Sequence, residues 1–311
     1  MNNNLMRPTR NSLIELYRFL FAMWVVYYHG YFFIPKTQLF SGGYIAVEFF
    51  FTLTGFFLLP AIIKSSDKSY FQGGLNLSWK KLKPLGVTFL ISVVFSLIYF
   101  FRHFTKEPCD PLGFMWYIEW LIIVPLIYYT LYYLIKNKKI FNIVTICIVI
   151  VSHVIESFVL VDWGMFRGMT SIGLGMLVSQ IPKNSWKIGK ININLIISVV
   201  LIIGTIIAGC NKAYIPYADH IFILLLFPAL LYFASCVNID CGFLNYLGGL
   251  SFGLYAYQTV NRVLEDFNIL NDKIHNAELF CILLFLAVFD DLIKRVIKAY
   301  KNDRMTKLNK I

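Results

Sequence analysis

Long apolar runs alternate with short polar breaks from Ser12 almost to the end of the chain. Each run is close to the ~20 residues that an α-helix needs to cross the hydrocarbon layer. The pattern predicts ten helices, over residues 12–33, 43–63, 82–101, 114–135, 140–161, 163–180, 191–209, 217–237, 243–261 and 277–299. Gly and polar residues interrupt the sixth and ninth. No internal repeat is evident, which argues against a transporter built from two inverted halves. The expected fold class is all-α: a polytopic membrane protein, one bundle of about ten transmembrane helices. The bundle takes residues 1–300, with a basic cytoplasmic tail over 301–311.

Composition supports this reading. Of 311 residues, 58% are apolar and 14% charged, which excludes an ordinary soluble domain. The net charge of +11 does not point to nucleic acid, because the charges lie in the breaks between spans. There they orient the protein. Lys36, Arg102, Lys106, Lys212, Arg262 and Lys273 fall in one set of loops, and Arg18 and Arg167 fall in or at the edge of spans. The other twenty of the 28 Lys and Arg residues fall on the opposite side. The positive-inside bias therefore puts both termini in the cytoplasm, with the protein multi-pass in the plasma membrane. No secretory signal peptide is expected, since MNNNLMRPTRN is short and polar and the first apolar run is too long and aromatic for one.

Against this apolar background three ionisable residues stand out in the stretch from Arg18 to Gly55. They are Arg18, His29 and Glu48. Ionisable groups in a membrane span are costly and usually functional. Arg18 and His29 are eleven positions apart, so they share one helix face about 16 Å apart along the axis. Glu48 lies five residues into the second helix, at about the depth of His29. A His beside a carboxylate in an apolar site is a general-base arrangement, able to activate a hydroxyl for attack on a carbonyl. No GxSxG serine motif is present, which favours direct transfer over an acyl-serine intermediate. The competing account makes His29 a packing residue and pairs Glu48 with Arg18. A transporter using the same stripe for passage is the alternative from another class.

Other candidates remain open at this level. Lys80, Lys81 and Lys83 precede the third helix. They are either a membrane anchor or a phosphate-binding patch for a nucleotide-bearing donor. Trp116 and Tyr117 read as interfacial belt residues, and Tyr117 could also hydrogen-bond a sugar. Arg167 either snorkels or helps to bind substrate, with Gly168, Gly173 and Gly175 allowing close helix approach. Asp291 is expected to pair with Lys294 and Arg295 along the tenth helix. The six cysteines form no CxxC pair and have no His at zinc-ligand spacing, so no metal site is expected.

These motifs together resemble the acyltransferase-3 family of integral-membrane acyltransferases, over nearly the whole chain. Arg18 and His29 fit the family's R-x10-H pattern. GGYIAVEFFFTLTGFFL (residues 42–58) is similar to its second-helix signature. SWKKLKP (78–84) resembles its basic segment, and MWYIEW, FRGMTSIGLGM and FLNYLGGLSFGLYAYQ resemble later segments in the same order. The resemblance implies an acyl transfer, most often of acetyl. The donor would be cytoplasmic acetyl-CoA or another acyl-CoA, and the acceptor a hydroxyl of a cell-surface or extracytoplasmic carbohydrate. It implies His29 as the catalytic residue, with Arg18 and the Lys80–Lys83 segment facing the donor. Position 48 is Glu where the family commonly has Asp, the basic segment uses Lys where Arg is common, and Gln258 stands where many members carry His. No fused extracytoplasmic domain is expected.

Overall fold

The computed structural model describes residues 11–30, 42–103, 116–158, 164–188, 191–211, 217–258, 263 and 275–308. Ten helices follow one another among the described residues. They are α1 (Ser12–Gly30), α2 (Ala46–Ser66, entered by a 3-10 turn at Gly43–Ile45), α3 (Tyr70–His103), α4 (Trp116–Ile135) and α5 (Lys138–Phe158). Then come α6 (Gly164–Val178), α7 (Ile193–Cys210), α8 (Ala218–Ser235, with a π-turn at Phe222–Leu226), α9 (Gly242–Ala256) and α10 (His275–Leu308). A two-residue antiparallel ladder, Lys187–Ile188 with Ile191–Asn192, precedes α7. Five of the described helical stretches are long and apolar enough to cross a membrane: Gly43–Ser66, Trp116–Ile135, Lys138–Phe158, Ile193–Cys210 and Ala218–Ser235. The architecture is all-α and polytopic.

The helix starts are written in the sequence. Asn11 caps α1, its side-chain oxygen accepting from the backbone N–H of Leu13 at 3.0 Å and of Ile14 at 3.4 Å. Its amide donates to the carbonyls of Ala234 and Val237, which ties the start of α1 to the end of α8. Asn137 caps α5 and Asn192 caps α7 in the same manner.

Two helices differ from the expected bounds. α3 begins at Tyr70, well before residue 82, and runs through a kink at Gly86, whose φ of 39° is left-handed. The polar, diglycine stretch YFQGGLNLS has a weak local helix signal, and packing overrides it. α10 continues to Leu308, so most of the basic tail is helical.

α2 is the central helix. Of its apolar window 72% is buried, against 22% for α5, whose outer face is free for lipid. It packs tightly on α6 through two glycines. A Cβ on Gly55 would collide with the Ile172 carbonyl oxygen, and one on Gly175 with that of Thr52. α1 packs on α9 in a similar way, with Gly248 against Glu15. Between these layers Phe21 stacks on Phe49 at 4.2 Å and meets Phe227 edge-on at 5.3 Å. On α10, Asp291 pairs with Arg295 at 2.7 Å as expected. Lys294 pairs instead with Asp290, at 2.6 Å, because Asp290 faces α3 and also accepts from Thr88.

Substituting Gly55→Leu or Gly175→Leu should separate α2 from α6 and cost at least about 1–3 kcal/mol. Gly204→Leu, with nothing near its added Cβ, should be tolerated. Thermal unfolding of the purified variants in detergent checks this.

Candidate functional site

One end of the bundle collects the first turns of α2, α4, α6 and α8, together with the last turn of α1. These four even-numbered helices begin at this face, so their partly positive N-termini converge on it. Glu48 in the first turn of α2, Glu119 in that of α4 and Asp219 in that of α8 are acidic groups there, and Glu119 is exposed.

Glu48 is 1% exposed and has two side-chain partners of its own. Its Oε1 accepts from Arg167 Nε at 2.5 Å, and its Oε2 accepts from Ser171 Oγ at 2.5 Å. Arg167 and Ser171 are one turn apart on α6, which is why both can reach one carboxylate. The glycine contacts of α2 with α6 bring the two helices near enough. Arg167 is itself held on several sides. Its Nη2 donates to the Tyr44 carbonyl at 3.1 Å, and its guanidinium lies 4.9 Å from the Trp116 ring and 5.9 Å from the Tyr44 ring. The Tyr44 hydroxyl donates to Asp219 at 2.7 Å. Beside Asp219, His220 Nδ1 and His153 Nε2 share a hydrogen bond at 2.9 Å. A chain of polar contacts thus runs across α2, α6 and α8.

Tyr117 enters from α4. It is buried, with its ring 4.8 Å from Phe51 and 5.3 Å from Tyr255. Its hydroxyl lies near Thr54 and within electrostatic reach of Arg18 and Glu48. Arg18 donates to Glu15 at 2.7 Å, one turn back on α1. Glu48 therefore pairs with Arg167, and Arg18 with Glu15, rather than the two with each other. Arg167 is buried in an ion pair and does not snorkel. Trp116 stacks on that arginine, and Tyr117 is buried, so neither is simply a belt residue. Lys83 is exposed on α3, away from this cluster. His29 lies in the last turn of α1, and its side chain, like those of Lys80 and Lys81, falls outside the described residues.

Ser171, Tyr44 and Asp219 were not singled out by sequence reasoning. A usable signal existed for Arg167. Helices 2 and 6 enter the membrane from the same side, and each carries one charge of opposite sign within its first turn. Among the described residues no three metal-ligating side chains gather.

A buried ion pair set in a helix bundle with apolar, lipid-facing walls defines an integral-membrane protein with a polar centre near one face. The chain belongs to the acyltransferase-3 family, whose acyltransferase-domain model matches residues 11–289. It is an acyltransferase of that general family. No curated protein and no solved structure matches the chain.

Ser171→Ala removes one of the two hydrogen bonds to the buried carboxylate. It should destabilise the protein by about 1.5–3 kcal/mol, the usual worth of a hydrogen bond to a charged group. Ser171→Thr should retain most of it. Thermal unfolding of both variants measures the difference.

Proposed function

We propose that the protein is an O-acyltransferase, moving an acetyl group from acetyl-CoA to a hydroxyl of an extracytoplasmic or cell-surface carbohydrate. The observation that carries this is the buried Glu48–Arg167 centre at the His29 end of α1. Arg18 lies eleven residues back on that helix, and the lysine segment lies on α3. The charge bias of the loops puts the lysine segment and both termini in the cytoplasm and His29 near the outer surface of the plasma membrane.

In this reading His29 takes the proton of the acceptor hydroxyl. The oxygen attacks the thioester carbonyl, the tetrahedral adduct collapses, and the C–S bond breaks. The leaving thiolate receives a proton, and His29 gives up the one it took. A carboxylate has about four lone-pair directions. Arg167 and Ser171 use two of them, which leaves room for Glu48 to accept from an imidazole N–H and favour the imidazolium. Arg167 holds the Glu48 side chain in place. Tyr117 and Arg167 line the acceptor side. Arg18 and the Lys80, Lys81 and Lys83 segment attract the phosphates of the donor.

Purified protein in detergent with labelled acetyl-CoA and a carbohydrate acceptor should form an acetyl ester, which a transporter would not. His29→Gln should lower turnover by about 10²–10⁴-fold with donor binding retained. Changing Lys80, Lys81 and Lys83 together to Gln should raise the KM for acetyl-CoA more than it lowers kcat. Turnover of His29→Gln within about threefold of wild type would make His29 structural.

A further inference from the structure

The first half of α3, residues 70–85, is a helix whose apolar outer side the transfer chemistry does not explain. At 1.5 Å per residue it is about 24 Å long. One side packs on the bundle. Tyr129 donates to the Tyr70 carbonyl at 3.0 Å, and Tyr70 shares a hydrogen bond with Thr130 at 2.9 Å. A Cβ on Gly73 would meet the Tyr129 hydroxyl and the Ser65 carbonyl, and Leu77 is buried. This side therefore rests on the far ends of α2 and α4, opposite the Glu48 face.

The other side is divided. Phe71, Leu75 and Trp79 are 77%, 61% and 62% exposed. They follow at four-residue spacing and so fall within an arc of about 80°. Gln72 and Lys83, both exposed, lie on the adjoining flank. Lys68, also exposed, precedes the helix. After Gly86 the chain turns into the apolar stretch Thr88–Ile98.

We propose that residues 70–85 form an in-plane helix seated in the membrane interface, with lipid as the occupant of the Phe71–Leu75–Trp79 stripe. The kink changes the chain's direction between this segment and the apolar stretch that follows. The apolar stripe beside a lysine-bearing polar flank is the pattern of a helix lying at the headgroup boundary. Trp and Tyr are the aromatic residues that favour that depth. Lys68 and Lys83 carry the charge that suits lipid phosphates. That the leaflet is the cytoplasmic one rests on the orientation proposed above; the in-plane placement does not. The basic segment is thereby fixed at the level of the lipid headgroups.

The test uses the full chain in lipid nanodiscs and the native Trp79. Subtracting the emission of Trp79→Phe from that of wild type isolates Trp79 from the other five tryptophans. Lipids brominated close to the headgroup should quench this difference more than twofold better than lipids brominated near the chain ends. A soluble quencher should reach it only weakly. Spin labels at positions 75 and 72 in a cysteine-free background give a second readout. Position 75 should be accessible to oxygen and position 72 to a water-soluble nickel complex. Strong soluble quenching of Trp79, or nickel access at both positions, would place the segment off the membrane and overturn the proposal. Strongest quenching by deep bromines, with oxygen access at both positions, would make it transmembrane and overturn it equally. Shielding from every quencher would mean a protein contact, which also contradicts it.

Discussion

The structure turns on a pair of opposite charges withdrawn from water between α2 and α6. A carboxylate and a guanidinium in an apolar surround are each expensive to desolvate, and they are tolerable only together and fully hydrogen-bonded. Glu48 and Arg167 meet that condition. The carboxylate is shared between Arg167 and Ser171, and the guanidinium also holds the Tyr44 carbonyl between two aromatic rings. Such a centre fixes the register of α2 against α6. The glycines at 55 and 175 are what allow the helix backbones to approach that closely.

From this constraint the rest of the site follows. With α6 locked to α2, the 3-10 turn at Gly43–Ile45 is held over the guanidinium. Tyr44 then reaches Asp219 at the start of α8. α4 delivers Trp116 and Tyr117 to the same end. On α1, Arg18 pairs with Glu15 and lies within electrostatic reach of Tyr117. The proposed chemistry needs a fixed charge beside a base, and a prepaired, rigid carboxylate supplies this without reorganisation during the reaction.

Much of the fold was legible from hydrophobic runs, because spanning a bilayer imposes a length that few other requirements mimic. α2, α4, α5, α7 and α8 match their runs within a few residues. The first half of α3 was not legible, since its two adjacent glycines and polar residues resemble a loop. Those glycines serve instead to seat the helix on Tyr129. Arg18, His29 and Glu48 were visible as charges in apolar stretches. The partner of Glu48 was not, because it lies 119 residues away and depends on which helices neighbour each other. Local spacing offered Arg18 of α1 as an ion-pair partner, whereas packing brings Arg167 of α6 to Glu48 and leaves Arg18 with Glu15.

The most direct test is a double-mutant cycle on this pair, reading both thermal stability and acetyl transfer. Arg167→Met strands a buried carboxylate and should cost about 3–5 kcal/mol, and Glu48→Gln strands the arginine similarly. The double variant should recover most of the stability yet stay inactive, because the paired charge serves the chemistry and not the fold alone. Independent, additive losses in stability would contradict the pairing. A stable double variant with wild-type transfer would contradict its place in the site.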